Sequence, residues 1–299
     1  MTISFIICTY NRERYIYECL SRLAKNTAKK TDWEIVLVNN NSTDGTADEC
    51  RRFENDYPEV HYSCFVEKQQ GLSYARNRGI QEANGDWFVF LDDDAMVEPD
   101  YIANLQNRLS AYPEAKAFGG PIAPFFEGET PAWLSPWTMI FVSAIQMGKD
   151  VKPFPKKRYP IGANMGVSRA AIEKVGYFDT SLGRVGNNLM GGEEKDLFNR
   201  LRAQQMPILY FPDIQVKHCI PPHRTTNEFI ARLGQGVGQS ERCRTRAKGG
   251  FAYGMRWLRE IINWGGSLVI WIGYALMGKR AKGDILLFFR YHVTKGLMA

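Results

Sequence analysis

The chain has 299 residues and a formal net charge of +6, with 44% hydrophobic and 23% charged residues, as in a globular protein of one or two domains. Its six cysteines (Cys8, Cys19, Cys50, Cys64, Cys219 and Cys243) contain no CxxC pair, which argues against a zinc cluster or disulfide framework and suits a reducing cytosol. The charge is uneven: residues 242–299 hold 11 Lys or Arg against 2 Asp or Glu, so the basic excess is a local feature with a local partner.

Ile3–Cys8 is a short apolar run with no basic segment before it, too short for a signal peptide and read as a first strand. Glu13–Thr27 carries Ile16, Cys19, Leu20 and Leu23 at helical spacing. Strand-like Trp33–Val38, helical Gly45–Tyr57, strand-like His61–Val66 and helical Leu72–Ala83 follow, then strand-like Trp87–Leu91 and helical Asp100–Tyr112. Strands that are apolar throughout, alternating with helices, predict an α/β fold: a doubly wound, mostly parallel sheet with helices on both faces. Ligands of such sheets bind beyond the carboxyl ends of the strands, where Thr9–Arg12, Asn39–Asp44 and Asp92–Asp94 all fall. Residues 121–160 break the pattern with seven of the 14 prolines, Trp133 and Trp137, and read as an irregular functional insertion. Gly162–Ser168 reads as a strand, Glu193–Gln204 as a helix, Ile208–Phe211 and Gln215–Cys219 as strands, and the chain after Thr226 as mostly helical.

Asp92, Asp93 and Asp94 concentrate negative charge directly after an apolar run. Such a cluster is a solvated turn, a helix cap or a cation site. Pro99 and Asp100 already provide the start of the next helix, and the spacing excludes an EF-hand. Hard oxygen donors suit Mg²⁺ or Mn²⁺, shared with a phosphorylated ligand. In Gly191–Leu201, Glu193 and Glu194 also suit a helix start through the dipole. Glu194, however, shares the apolar stripe of Leu197, Phe198 and Leu201. A carboxylate there that faces a cleft becomes a better base as its pKa rises. Arg76, near the start of its helix, is either a surface arginine or a phosphate ligand.

Cys8-Thr-Tyr-Asn-Arg12, Val38–Thr46, Gly71–Gly79, Phe90–Asp94, Gly162-Ala-Asn164 and Gly192-Glu-Glu194 occur in that order. Together they resemble glycosyltransferase family 2 on a GT-A fold, over about residues 1–225. The resemblance implies transfer of a sugar, with inversion, from a nucleoside-diphosphate donor (UDP in the first instance) to an acceptor hydroxyl of a glycan or lipid-linked acceptor. It implies a nucleotide-binding half over 1–120, an acceptor half over 121–225 and a helical extension over 226–299. Asp92 and Asp94 then form the DxD motif around Mn²⁺ or Mg²⁺. Thr9, Tyr10, Arg12, Asn39, Asn41, Arg76, Asp92 and Asp93 surround the donor, and Trp133, Trp137, Asn164 and Gly192 face the acceptor. Glu194 stands at the place of the base, with Glu193 and Asp196 as alternatives. Two positions depart from the pattern: Asn39 replaces an Asp that contacts the nucleotide base, and Glu194 replaces an Asp.

His218 is a metal-ligand candidate on its dual capacity as ligand and donor, against a structural histidine, and Arg224 is a weaker phosphate candidate. Gly234-Gln-Gly-Val-Gly238 follows a helical stretch, which excludes a dinucleotide fingerprint. Ile261–Gly278 is 18 residues without charge, with basic flanks and Trp257, Trp264 and Trp271 in the region. Either it packs beneath the catalytic domain or, as part of 257–299, it lies in the headgroup region of a membrane. The expectation is a cytoplasmic enzyme held at the inner face of a membrane, building a surface polysaccharide or glycolipid, with no nucleic-acid partner. A non-catalytic sugar-nucleotide or glycan binder and a nucleotidyltransferase are the alternatives.

Overall fold

The computed structural model describes residues 1–29, 32–186, 189 and 191–299. The first half runs β1 (Ile3–Thr9), α1 (Ile16–Ala24), β2 (Trp33–Asn39), α2 (Thr46–Asp56), β3 (Tyr62–Val66), α3 (Leu72–Glu82), β4 (Trp87–Asp92), β5 (Ala95–Val97) and α4 (Tyr101–Ala111). Then come β6 (Ala117–Gly119), β7 (Ile122–Phe126), β8 (Lys152–Pro153), β9 (Met165–Ser168), α5 (Arg169–Val175), α6 (Glu193–Ala203), β10 (Ile208–Tyr210) and β11 (Val216–Ile220). Three helices follow: α7 (Asn227–Arg246), α8 (Gly250–Leu276) and α9 (Arg280–Met298). The chain divides into two compact units. One is Met1–Phe125, Ser143–Ser181 and Glu193–Cys219, and the other is Phe126–Val142, Leu182–Gly192 and Ile220–Ala299.

The first unit is an α/β fold around an eight-stranded sheet of order β3-β2-β1-β4-β9-β6-β10-β8. β1, β2, β3 and β4 are mutually parallel, as their apolar runs predict. Ile3, Phe5, Ile7 and their neighbours on β1 are buried on both faces, with Ile16, Leu20 and Leu23 of α1 among the core residues. Gly79 brings α3 close to the sheet, since a β-carbon there would collide with Ile6.

Two features differ from the sequence expectation. β9 runs antiparallel to both β4 and β6, in the centre of the sheet. Residues 162–164, expected to open that strand, form a 3-10 turn before it. Gly166 on β9 lies against the Phe118 ring, where a side chain would collide, so the short strand is admitted by small size more than by β-propensity. A second, three-stranded sheet of order β5-β11-β7 carries the chain back past the end of β4.

In the second unit the Thr226 hydroxyl caps α7 by accepting from the Phe229 amide at 3.2 Å. α7 and α9 approach closely through Gly234, Gly238 and Gly296, none of which has room for a side chain. The glycine run at 234–238 therefore serves helix packing. Arg256 of α8 bridges Glu241 of α7 at 3.1 Å and Glu260 at 2.8 Å, and Arg290 of α9 reaches Glu260 at 3.3 Å.

Asn164 is fully buried and joins three segments of the first unit. It donates to the carbonyls of Pro121 (3.0 Å) and Ile214 (2.6 Å) and accepts from the Tyr101 hydroxyl (2.6 Å). Asn164→Ala removes all three bonds, leaving Pro121 only the Val216 amide, and is expected to cost roughly 3 kcal/mol, read as a lowered urea midpoint at unchanged m.

Candidate active site

The parallel register brings the strand ends together. Thr9 pairs with Asn39, and Cys8 with Asp92, so β1, β2 and β4 finish at one level. The loops beyond β1 and β2 are tied into one body. Asn11, in the left-handed region (φ 53°), accepts from the Thr43 amide at 2.8 Å, and the Arg12 amide donates to Thr46 Oγ1 at 2.8 Å. Asn39 is buried and accepts from the Ser42 amide at 2.9 Å. Its neighbour Asn40, given no role of its own in the sequence, donates to the carbonyls of Glu67 and Gln69 and accepts from the Gly71 amide, ordering the approach to α3. Thr9 is buried, whereas Tyr10 and Asn41 are exposed on this rim.

The acidic turn after β4 forms a compact centre. β11 pairs antiparallel with β5, placing His218 opposite Ala95, while the Cys219 amide donates to the Asp94 carbonyl at 2.9 Å. His218 Nε2 thereby lies 2.9 Å from Asp94 Oδ1 and 3.8 Å from Asp92 Oδ2. Ligand atoms of Asp92, Asp94 and His218 all lie within 4.8 Å of one another. Two carboxylates and an imidazole, with Asp92 half-buried at the rim, form a donor set that suits Mn²⁺ and accommodates Mg²⁺. The turn is braced from below by Cys19 of α1, whose thiol donates to the Ala95 carbonyl at 3.4 Å. Sequence periodicity marked Cys19 only as part of an apolar stripe.

Asp93 turns to Arg12, whose Nε lies 3.3 Å from Asp93 Oδ1 and whose Nη2 lies 3.9 Å from Asp94 Oδ2. Burial pushes the Asp93 carboxyl up to about 7, with Arg12 opposing and Asp94 reinforcing the rise.

The second centre is built on α6 and α3. Arg76 is only 2% exposed. Its Nη1 meets Glu193 Oε1 and its Nη2 meets Glu194 Oε1, each at 3.1 Å. The Gly162 amide donates to that same Glu194 oxygen at 2.8 Å. Gly162 has to lack a side chain, because a β-carbon would strike both Arg76 Nη2 and Glu194 Oε1. Burial raises the Glu194 carboxyl to about 7, Arg76 opposes the rise, and the charges of Glu193 and Asp92 add to it.

The other residues singled out in the sequence have other places. Arg76 faces the glutamates and not the nucleotide rim. Asp196 pairs with Arg200 at 2.8 Å, and Arg200 in turn donates to the Gly176 carbonyl, so Asp196 serves α6 and the loop after α5. Asn164 is a structural residue, since its buried amide is spent on Tyr101, Pro121 and Ile214. Trp133 is buried too. It donates to the Thr225 carbonyl at 3.3 Å and packs on Phe141, which stacks 4.3 Å from Phe289. Trp137 is exposed at 59% and remains the aromatic surface of that segment. Gly192 takes φ +110° and, lacking a side chain, leaves room for Ser240. Arg224 is buried with its guanidinium over the Phe229 ring.

A parallel sheet with acidic residues at the strand ends and a carboxylate pair on a following helix is the arrangement of GT-A glycosyltransferases. The description "Glycosyl transferase family 2" matches residues 4–176, more than half of the chain, and the chain belongs to this family. It is a glycosyltransferase, which sets aside the binding-only and nucleotidyltransferase alternatives. The chain is 27% identical over 247 residues to glucosyl-dolichyl phosphate glucuronosyltransferase of Haloferax volcanii, covering 81% of this chain and 77% of that one. A 114-residue stretch is 32% identical to a dolichyl N-acetyl-alpha-D-glucosaminyl phosphate diacetamido-dideoxy-glucuronosyltransferase of Methanococcus voltae, covering 38% of this chain and 35% of the relative. Among solved structures, the mannosyltransferase PcManGT of Pyrobaculum calidifontis, in complex with GDP-Man and Mn²⁺, has a TM-score of 0.68 at 18% identity, covering 99% of this chain and 86% of its own. S. aureus TarS in complex with UDP-GlcNAc has a TM-score of 0.56 at 18% identity, covering 79% and 66%. At these identities the structures establish the shared fold.

Replacing Arg76 by Met removes the cation shared by the buried Glu193 and the half-buried Glu194. At low pH Glu194 is protonated and the loss is small; as pH rises through about 7 it ionises without its partner. The expected destabilisation therefore grows with pH, reaching about 3–5 kcal/mol above pH 8, and is measured by urea unfolding at pH 5.5 and 8.5.

Proposed function

We propose that the enzyme is an inverting, divalent-metal-dependent glycosyltransferase. It moves a sugar from a nucleoside-diphosphate donor, UDP in the first instance, to the hydroxyl of a lipid-linked glycan at a membrane surface, in polysaccharide or glycolipid synthesis. The observation that carries the reading is the pairing of two centres in one unit: the Asp92–Asp94–His218 group and a Glu194 carboxylate with its pKa near neutrality. Catalysis is assigned to residues 1–225 and membrane attachment to the extension over 226–299.

Asp92, Asp94 and His218 would hold Mn²⁺ or Mg²⁺, which when bound supplies Lewis-acid stabilisation of the departing diphosphate. Thr9, Tyr10, Asn39 and Asn41 border the nucleotide, and Arg12, already at the acidic turn, supplies a guanidinium for phosphate oxygens. Glu194 is the base. Arg76 and the Gly162 amide both hold Oε1, which orients the carboxylate and directs Oε2 to the acceptor hydroxyl. Oε2 takes the proton as the acceptor oxygen bonds to the anomeric carbon. The bond from that carbon to the diphosphate oxygen breaks, and its electron pair leaves on the phosphate. One displacement from the face opposite the leaving group inverts the configuration. Glu193 is 4% exposed and serves to position Arg76.

Lipid-linked acceptors are suggested by the dolichyl phosphates in the names of two relatives. The Mn²⁺ and nucleotide sugars in the names of the structural neighbours support the choice of ion and donor class.

Glu194→Gln is expected to lower kcat roughly a thousandfold while donor affinity in Mn²⁺, measured by calorimetry, changes less than about twofold. Asp94→Asn is expected to lose the Mn²⁺-dependent part of donor binding; equal donor affinity with and without metal in the wild type would refute the assignment. Because the base must be ionised, wild-type kcat is expected to fall as pH drops through about 7.

A further inference from the structure

Within the second unit, α8 is 27 residues long, about 40 Å of helix. One side of it is committed. Trp264 Nε1 donates to Thr294 Oγ1 at 2.9 Å, Trp271 Nε1 to Asp284 Oδ1 at 2.7 Å, and the Tyr253 hydroxyl to the Leu297 carbonyl at 2.8 Å, all on α9 or the turn of α9. Arg256 and Glu260 lie on the same side, buried. The other side has no such cover. Phe251 (86% exposed), Met255, Leu258, Ile262, Val269 and Leu276 (85%) follow one another at helical spacing along it, with Gly265 and Gly266 filling the gap in the stripe. From Ile261 to Gly278 this surface carries no charge. The polar side of α8 could not enter hydrocarbon, and among the described residues no helix is long and apolar enough to cross a membrane.

Charge fixes what covers the stripe. Arg246 and Lys248 are exposed before it, and Lys279 and Arg280 after it. Of the two acids among residues 242–299, Glu260 is buried between Arg256 and Arg290, and Asp284 is held by Trp271. An apolar stripe framed by cations at both ends and flanked by the exposed Arg259, with no uncommitted acid nearby, complements an apolar layer bordered by anions. That is the cross-section of an anionic bilayer surface.

We infer that α8 is an in-plane membrane anchor whose apolar stripe, from Phe251 to Leu276, enters the acyl–headgroup boundary of an anionic bilayer while Trp264 and Trp271 face α9. This rests on the membrane-surface reading above and deepens it by assigning the face.

The test is flotation of the full-length protein with vesicles of phosphatidylcholine alone or containing phosphatidylglycerol. Wild type is compared with Ile262→Asp/Val269→Asp, and circular dichroism and thermal melting confirm the fold of both. The expected result is flotation with the anionic vesicles, reduced about tenfold or more in the variant at unchanged melting temperature. Flotation of the variant equal to wild type overturns the assignment of the stripe and leaves membrane attachment standing. Failure of wild type to float with either vesicle overturns both. A lipid-free dimer by light scattering, dissolved by the variant and accompanied by no flotation, makes the stripe a contact between copies and overturns the membrane assignment.

Discussion

Carboxylates crowded into a small space repel, and the first unit is arranged around that repulsion. Asp92, Asp93 and Asp94 leave β4 together, and Glu193 and Glu194 open α6. Arg12 and Arg76 are placed among them, one per group, and His218 is brought in by the pairing of β11 with β5. The neutralisation is partial: Asp93 and Glu194 both stay near 7, well above ordinary carboxylates. Burial holds both carboxyls above the ordinary range in spite of the guanidiniums beside them.

The distribution of partners separates two roles among chemically similar acids. Asp93 and Glu193 are spent largely on guanidiniums inside the protein. Asp92 and Glu194 sit at the rim, the former about a third exposed and the latter about a sixth at the side chain. In each group one acid lies deep against an arginine and another lies nearer the rim, while Asp94 is as deep as Asp93 and faces His218.

Much of this was legible in the sequence, and the limits are physical. The parallel half of the sheet followed from apolar runs that could only be buried on both faces, and the strand-end rule then placed Thr9, Asn39 and Asp92 together. The antiparallel β9 was not legible. It is four residues long, and its place between β4 and β6 depends on Gly166 yielding to Phe118, a contact across nearly fifty residues of chain. Arg76 read as either a surface arginine or a phosphate ligand because a sequence shows charge and helix position but not which way a side chain turns. Trp133 and Asn164 misled for the same reason: aromatic and amide groups suit both ligands and cores, and only the partners Thr225, Pro121 and Ile214 decide. In the tail, the uncharged stretch was visible, but its committed and open sides emerge only once α9 is laid against it.

Gly162 shows where such an enzyme is most fragile. Nothing reacts there, no proton moves there, and the residue has no functional group to lose. Beyond the backbone amide it gives to Glu194, its contribution is an emptiness the size of one methyl, in which an arginine and a glutamate meet. A survey of tolerance across the chain would find a residue without chemistry among the least replaceable, because the vacant volume is itself the component.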